Sequence, residues 1–155
     1  MFARIFFALV HFGARKGLSV PSESNDVSAK FAHRRLTGIR GETYAYWYLR
    51  RHGYVMIARN YRAPGDHAEI DLVGYDGSTL AFIEVKTRTM RNENSFRPEI
   101  GITSGKYRAM SRMAQRFLRE RRLKNAHYRF DVLALENWPG RHPTVRLHKG
   151  AFSGD

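Results

Sequence analysis

The sequence predicts an α/β fold with a mixed central β-sheet flanked by helices. Three observations predict it: the order of helix-like and strand-like segments, an Asp-Gly turn between two apolar stretches, and a helical segment that precedes the last two strands. Strands joined by a hairpin run antiparallel, whereas a strand that follows a helical crossover can join in parallel. The chain of 155 residues has the length of one domain, and 43% hydrophobic residues are enough for a packed core.

The first helix is predicted over 41–51. Glu42, Ala45 and Leu49 recur there at helical spacing, which places apolar residues and a carboxylate on one face. Gly53 follows as a candidate C-cap. The folded domain is therefore expected to begin before this helix, and we place its start at 37.

Three strands are predicted after this helix, at 54–61, 69–75 and 79–87. Asp76 and Gly77 separate the second strand from the third, and an Asp-Gly pair between alternating apolar stretches favours a tight hairpin. A long polar loop without a clear period is expected over 89–102.

A second helix is predicted over 104–122, with Thr103 or Ser104 as its N-cap. Its expected core residues are Tyr107, Met110, Ala114, Phe117 and Leu118. Its basic stripe consists of Arg108, Arg112, Arg116 and Arg119. Strands are predicted at 128–136 and 144–148, so the element order is helix, three strands, helix, two strands.

The segment 2–12 is apolar apart from Arg4 and His11. A membrane-spanning helix needs about 20 apolar residues, so we expect no stable membrane insertion. We interpret 1–36 as an N-terminal extension and linker that is mobile or docked on the surface, with interfacial membrane contact as the alternative. The folded domain is assigned to 37–150 and a short tail to 151–155.

The composition excludes several classes of site. There is no cysteine, which removes disulfides, cysteine-based zinc sites, iron–sulfur clusters and thiol nucleophiles, and which fits a cytoplasmic location. The 27 Lys and Arg residues exceed the 14 Asp and Glu residues and give a formal net charge of +13. Nucleic acid is therefore the first partner to consider, and an anionic membrane the second.

Charged residues stand inside two of the predicted apolar strands. Asp71 lies among apolar neighbours in one strand, and Glu84 and Lys86 flank Val85 in the next. Polar groups in such surroundings are unfavourable unless they pair or bind a metal. The simpler interpretation is a cross-strand ion pair on a solvated sheet face, and it stays open.

Such a cluster suits the hydrolysis of a phosphodiester, which requires neutralisation of phosphate charge and activation of water. Carboxylates on adjacent strands, here Asp71 and Glu84, can hold a hard cation such as Mg²⁺ or Mn²⁺. Lys86 lies two residues after Glu84 on the same strand face, where its ammonium could orient water or stabilise the phosphate. Glu42, from the first helix, could support the metal or a bound water.

Several stretches resemble the YraN-like family of uncharacterised bacterial proteins. They are GETYAYWYLRRHGYVMIARNYR, EIDLV, FIEVKTR, an Arg-rich helix and YRFDVLAL, and together they cover roughly 37–135. That family is similar to archaeal Holliday junction resolvases in the PD-(D/E)XK, or restriction-endonuclease-like, nuclease superfamily. The resemblance implies a restriction-endonuclease-like αβββαβ core and a DNA substrate, including branched DNA.

The resemblance also implies roles for individual residues. Asp71, Glu84 and Lys86 correspond to the active-site set of the superfamily, and Glu42 to its helix-borne acidic residue. Asp71, Glu84 and the backbone carbonyl of Val85 would be the ligands of Mg²⁺ or Mn²⁺.

Basic residues near this cluster are the expected contacts to nucleic acid. They are Arg88, Arg91, Arg97, Lys106, Arg108 and Arg112. Contacts of this kind to phosphates position a protein on nucleic acid independently of base sequence. A solvated helix face is the alternative interpretation of the residues on the second helix.

Three functions remain open from the sequence. The leading one is a Mg²⁺- or Mn²⁺-dependent endonuclease that hydrolyses DNA phosphodiesters and could act as a homodimer. The second is a non-catalytic nucleic-acid-binding module with a nuclease-like fold. The third is a basic assembly protein whose carboxylates only balance its charge.

Overall fold

A computed structural model describes residues 2–16, 18, 27–90, 103–123, 125–138 and 140–152. Its elements are α1 (Phe2–Gly13), a 3₁₀ turn (Ala14–Lys16), α2 (Val27–Arg51), β1 (Val55–Tyr61), β2 (Ile70–Asp76), β3 (Thr79–Thr89), α3 (Ser104–Glu120), β4 (Tyr128–Asn137) and β5 (Thr144–Phe152). The predicted order from α2 to β5 is confirmed, and α1 precedes it.

The five strands form one mixed sheet in the order β1-β2-β3-β4-β5. β1 pairs with β2, and β2 with β3, in antiparallel orientation. β3 and β4 run parallel, because the amide of Leu80 donates to the carbonyl of His127 (2.8 Å) and the amide of Met90 to that of Asn137 (2.9 Å). The expectation of a mixed sheet flanked by helices is therefore confirmed.

The β2–β3 hairpin has an uninterrupted register from Asp76↔Thr79 to Leu72↔Ile83. The turn between them contains Gly77 at a φ of 61°. Two-residue hairpin turns require positive φ values that glycine adopts without steric cost. The Asp-Gly pair therefore predicted both the turn and the strands on either side of it.

The chain divides into two compact units. The first unit comprises Met1–His52, Val85–Arg97 and Leu133–Arg146, and the second Gly53–Glu84, Pro98–Val132 and Leu147–Asp155. β3, β4 and β5 each contribute residues to both units. The domain boundaries expected from the sequence, at 37 and 150, stay predictions.

In the second unit, α3 packs its apolar face on β2 and β3. Met110 and Phe117 of α3 join Val73, Phe82 and Phe130 in one buried cluster. The ring of Phe82 meets that of Phe117 edge to face, with centroids 5.7 Å apart. Each large apolar side chain that is fully buried contributes about 1.5–3 kcal/mol, so this cluster fixes α3 on the sheet.

α3 begins and ends close to the residues that were predicted. Thr103 is its N-cap, and the Thr103 hydroxyl accepts a hydrogen bond from the amide of Lys106 (3.3 Å). The helix ends at Glu120, two residues before the predicted end. The predicted basic stripe is confirmed as a solvent-facing surface, since Arg108, Arg112 and Arg119 are exposed and Arg116 is half-buried.

In the first unit, α1 packs on α2. Phe7 is buried, its ring meets that of Tyr44 at a centroid distance of 5.5 Å, and Phe6 stacks on Trp47 at 4.7 Å. A hydrogen bond of 2.6 Å joins Nδ1 of His11 to the hydroxyl of Tyr44. Residues 2–13 are therefore a docked helix. No helix among the described residues is long and apolar enough to cross a membrane.

α2 begins at Val27, and the prediction that this helix starts at Gly41 was wrong. The apolar residues of its first half, which include Phe31 and Ile39, are exposed. These residues do not form a buried stripe along the helix. Apolar periodicity therefore did not predict this half of α2 as a helix.

A network of ion pairs joins β2, β4 and β5 in the second unit. The guanidinium of Arg129 lies 2.8 Å from Asp131 and 2.6 Å from Asp76, and Lys149 lies 2.7 Å from Asp76. The amide of Gly150 donates to Asp131 (2.9 Å), whose side chain is fully buried. The hydrogen bonds from Lys149 and Arg129 lower the pKa of the Asp76 carboxyl.

The close approach of α2 to β3 predicts opposite effects for two glycine substitutions. A Cβ at Gly41 would lie 1.8 Å from Oγ1 and 3.0 Å from Cβ of Thr87, so rotation of that side chain cannot make room. Gly41→Ala should therefore destabilise the protein by about 1–3 kcal/mol in urea unfolding. Gly38→Ala meets no atom within 4 Å and should be neutral or stabilising by up to about 1 kcal/mol. Equal stabilisation by both substitutions would contradict the close contact.

The ion-pair network predicts a second pair of effects. Arg129→Met leaves the buried Asp131 without its guanidinium partner and should cost about 3–5 kcal/mol at neutral pH, as measured by urea unfolding.

The pKa of Asp76 is lower in the folded protein than its ordinary value of 3.8, so the ionised carboxylate stabilises the fold above pH 3.8. This contribution is lost as the pH falls through the folded-state pKa. Lys149→Met should weaken that acid-range dependence. An unchanged pH profile in this variant would contradict the assigned cause.

Candidate functional site

Two carboxylates predicted as metal ligands lie on neighbouring strands of the second unit. Asp71 on β2 is buried, and the side chain of Glu84 on β3 is only 12% exposed. The hairpin register reaches Leu72↔Ile83, and one further step along both strands places Asp71 opposite Glu84. Residues directly opposite in antiparallel strands share a face, with Cβ atoms about 4.5–5.5 Å apart. The hairpin register therefore brings the two carboxylates together.

These carboxylates continue the row of side chains that α3 covers. Val73 lies two residues after Asp71, and Phe82 two residues before Glu84, so strand alternation places all four on one face. Val73 and Phe82 belong to the buried cluster with Phe117 of α3. Two like charges beside an apolar core repel and are poorly solvated, so this position favours a bound cation.

A lysine supplies positive charge at this position. Nζ of Lys106, in the first turn of α3, lies 2.9 Å from Oε2 of Glu84. The same Oε2 atom is buried and has no hydrogen-bond partner among the described residues, so the contact is an ion pair without hydrogen-bond geometry. The sequence predicted Lys106 as a contact to nucleic acid and did not predict this ion pair.

The donor atoms at this position fit a hard divalent cation. Carboxylate oxygens are the ligands that Mg²⁺ and Mn²⁺ prefer, and Asp71 and Glu84 supply them on one sheet face. The buried Oε2 of Glu84 lacks a hydrogen bond among the described residues, and its contact with the Lys106 ammonium at 2.9 Å shows that a cation can approach it. Among the residues that the structure describes, no group of three or more His, Asp and Glu side chains could hold a metal. Water and main-chain oxygens would therefore have to complete the coordination.

Three other predicted site residues belong to the first unit. Val85 and Lys86 directly follow Glu84 on β3, and the strand alternation places Lys86 on the same strand face as Glu84. Lys86 is half-buried, and so is Glu42, which lies on α2. The roles of Glu42, Val85 and Lys86 stay predictions.

A groove on α3 and β4 lies in the second unit with the carboxylates. It has a volume of about 530 Å³, and Arg108, Arg112, Tyr107 and Tyr128 contribute to its wall. Tyr128 is 43% exposed, and its ring meets that of Phe130 edge to face at 5.9 Å. The groove therefore combines two cations with an accessible aromatic ring. Basic and aromatic residues in one groove are typical of single-stranded nucleic-acid binding.

The predicted nucleic-acid contacts are distributed over several positions. Arg88 is exposed near the end of β3, and Arg108 is exposed on α3. Arg112 is exposed too, although its guanidinium lies 3.7 Å from the carboxylate of Asp66. Arg91 and Arg97 lie outside the described residues.

Sequence reasoning missed two features of this site. Tyr107 was assigned only to the helix core and Tyr128 only to a strand, and neither was connected with the basic stripe. The available signal was an aromatic residue, Tyr128, directly before Arg129 at a strand start. The ion pair between Lys106 and Glu84 links residues far apart in sequence and has no local signal.

Comparison with known proteins places residues 41–135 in one family. They match the profile described as "Uncharacterised protein family UPF0102". A UPF0102 protein of Koribacter versatilis is 41% identical over 116 residues, which cover 75% of this chain and 78% of the relative. One from Geobacter metallireducens is 38% identical over 77% of this chain and 94% of the relative. One from Caldicellulosiruptor saccharolyticus is 37% identical over 77% of this chain and 99% of the relative.

The profile match extends from the second half of α2 to residue 135 in β4, and Asp71, Glu84 and Lys106 lie within the matched residues. α1 lies outside the residues that the profile matches. The family profile matches more than half of the chain, and these relatives match it over most of their own length. The chain therefore belongs to the UPF0102 family.

Proposed function

We propose that this protein is a Mg²⁺- or Mn²⁺-dependent endonuclease that hydrolyses DNA phosphodiesters. The observation that carries the proposal is the hairpin register, which brings Asp71 opposite Glu84 on the strand face that α3 covers. The buried oxygen of Glu84 without a hydrogen bond supports the same site. The succession α2-β1-β2-β3-α3-β4 supports a restriction-endonuclease-like core, since it matches the αβββαβ order of that fold.

Each protein group has a part in this proposal. Asp71, Glu84 and the carbonyl of Val85 would hold the metal, which would supply charge neutralisation at the phosphate and a water of lowered pKa. Lys86 orients the attacking water or stabilises the phosphate from the strand face that it shares with Glu84. Glu42 supports the metal or holds a bound water.

Lys106 has two successive partners in this proposal. Its ammonium neutralises Glu84 at 2.9 Å. With Glu84 as a ligand of the metal, the ammonium would instead be able to contact a phosphate of the DNA backbone. This exchange reconciles the ion pair with the phosphate contact expected from the sequence. It also places a cation next to the scissile phosphate at the time when charge develops there.

The groove on α3 supports a nucleic-acid substrate. Lys106 contacts the carboxylate of Glu84, and Arg108 and Arg112 follow on the same helix within about two turns. Arg108 and Arg112 line the groove about one helical turn apart, so they can contact successive phosphates while Tyr128 stacks on an unpaired base. Unpaired bases occur in branched DNA, so such a substrate fits the groove better than an intact duplex.

The ion pair between Lys106 and Glu84 also favours a second candidate function. A lysine that neutralises one carboxylate lets the site persist without a metal, as a non-catalytic nucleic-acid-binding module would require. The two candidates differ in one measurable property, which is metal-dependent cleavage of the bound DNA.

Cleavage of labelled DNA tests the proposed activity. Purified protein should cleave duplex, single-stranded or four-way-junction DNA with Mn²⁺ or Mg²⁺, and EDTA should abolish the reaction. Glu84→Gln should lower the rate at least about 100-fold, because it removes several kcal/mol of charge stabilisation. The matched control is Glu136→Gln, since Glu136 is also a strand residue, is 14% exposed and pairs with a cation, Arg146. Tight binding without any metal-dependent cleavage would favour the binding module.

A second prediction concerns the competition between lysine and metal. Lys106→Met removes the ammonium that neutralises Glu84, so Mn²⁺ should bind roughly tenfold more tightly, equivalent to about 1.4 kcal/mol, in titration calorimetry. Cleavage should nevertheless fall, because a phosphate contact is lost. Lys149→Met is the control, since Lys149 pairs with Asp76 and should leave the Mn²⁺ affinity unchanged. Weaker Mn²⁺ binding by Lys106→Met would contradict the proposed exchange.

A further inference from the structure

α1 presents a row of large apolar side chains to solvent. The row consists of Phe2, Ile5, Phe6, Leu9 and Phe12, which are 45–72% exposed. Their spacing of three and four residues places them on one face of the helix. An exposed apolar surface of this kind on a folded protein marks an interaction site.

The opposite face of α1 holds the helix in place. Phe7 is buried against α2, and the rings of His11 and Tyr44 are joined by the hydrogen bond of 2.6 Å. Apart from Arg4 and His11, the helix therefore carries apolar side chains both on the face packed on α2 and on the exposed face. Apolar side chains on both faces of a helix are normally buried in a protein or in lipid.

A basic cavity adjoins this exposed face. It has a volume of about 590 Å³, and Ala8 and Phe12 of α1 form part of its wall. Three arginines, Arg15, Arg51 and Arg141, line it together with His11 and His142. No Asp or Glu is among the described residues that line it, so the cavity favours an anion.

Two histidines, His11 and His142, lie side by side in the wall of this cavity. Their rings are stacked, with centroids 3.8 Å apart and planes 4° from parallel. Burial, His142 and Arg51 lower the pKa of His11, because a further positive charge here is unfavourable. A bound phosphate group would compensate this excess of positive charge.

We infer that the exposed face of α1 and the adjoining basic cavity form a docking surface for a membrane that contains anionic phospholipids. The apolar side chains enter the interfacial region, and Arg15, Arg51 and Arg141 hold the phosphates of the headgroups. A helix of 12 residues is about 18 Å long, so α1 lies along the surface and does not cross the membrane.

Other occupants match only part of this surface. A second copy of the chain, docked symmetrically, would bring the same arginine-lined cavity close to itself and create like-charge repulsion. Nucleic acid would satisfy the arginines but offers no apolar surface for the row on α1. An anionic membrane complements both the apolar row and the basic cavity.

Co-sedimentation with lipid vesicles tests this inference. The full-length protein should bind vesicles of phosphatidylcholine with phosphatidylglycerol at least about tenfold more tightly than vesicles of phosphatidylcholine alone, since each basic residue near an anionic surface contributes roughly fivefold. The double substitution Leu9→Ser and Phe12→Ser should weaken binding at least about tenfold. Phe31→Ser should leave it unchanged, because Phe31 is as exposed as Phe12 but lies on α2.

Charge variants distinguish the contribution of the cavity arginines to vesicle binding from that of the protein's net positive charge. Arg15→Gln combined with Arg141→Gln should lower vesicle binding more than the pair Arg59→Gln and Arg62→Gln, which removes equal charge from exposed positions in or beside β1. Equal losses in the two pairs would overturn the assignment of the cavity. Soluble glycerol phosphate should compete only weakly, and full displacement by it would show a site for small phosphate compounds and overturn the membrane assignment.

Tryptophan fluorescence gives an independent readout in a Trp138→Phe background. Phe6 stacks on Trp47, so insertion of the α1 face should shift the Trp47 emission to the blue when anionic vesicles are added. An unshifted spectrum, unchanged binding of the serine double variant, or α1-dependent dimers without vesicle binding would each overturn the inference. Far-UV circular dichroism of the variants confirms that they are folded.

Discussion

The register of the β2–β3 hairpin is the constraint on which the candidate site depends. A shift of one residue along either strand would move Asp71 or Glu84 to the opposite face of the sheet and separate them. Two local features prevent such a shift: the turn with a positive φ at Gly77, and the burial of Val73 and Phe82 under α3. Turn geometry and core packing therefore select the same register, and the carboxylate pair follows from it.

Two acidic residues on the strands of the second unit lie beside a cation. Asp131 lies beside Arg129, and Glu84 lies beside Lys106. The two pairs differ in completeness, because Asp131 also accepts from the Gly150 amide whereas Oε2 of Glu84 has no hydrogen bond among the described residues. A carboxylate whose hydrogen bonds are satisfied stabilises the fold, whereas a carboxylate oxygen that lacks a hydrogen bond can still bind a ligand.

The parts of the fold that were predictable are those with local causes. The Asp-Gly turn, the apolar strands on either side of it and the Thr103 cap each depend on residues close together in sequence, and the structure confirms them. The start of α2 was missed because its first half is exposed and lacks a buried stripe. The docking of α1 and the Lys106–Glu84 ion pair join residues that are far apart in sequence and meet only in the folded protein. The spacing of residues along the sequence therefore cannot predict these contacts.

The ion pair between Lys106 and Glu84 also bears on how the domain can be assembled. Many small metal sites leave the chain unfolded until the ion arrives, because unpaired carboxylates cannot be buried together. Here the ammonium of Lys106 serves as the counter-ion of Glu84 once α3 is docked. Under the proposed function, the fold would therefore not depend on a divalent cation, and binding of that cation would replace one positive charge by another in a protein that is already folded.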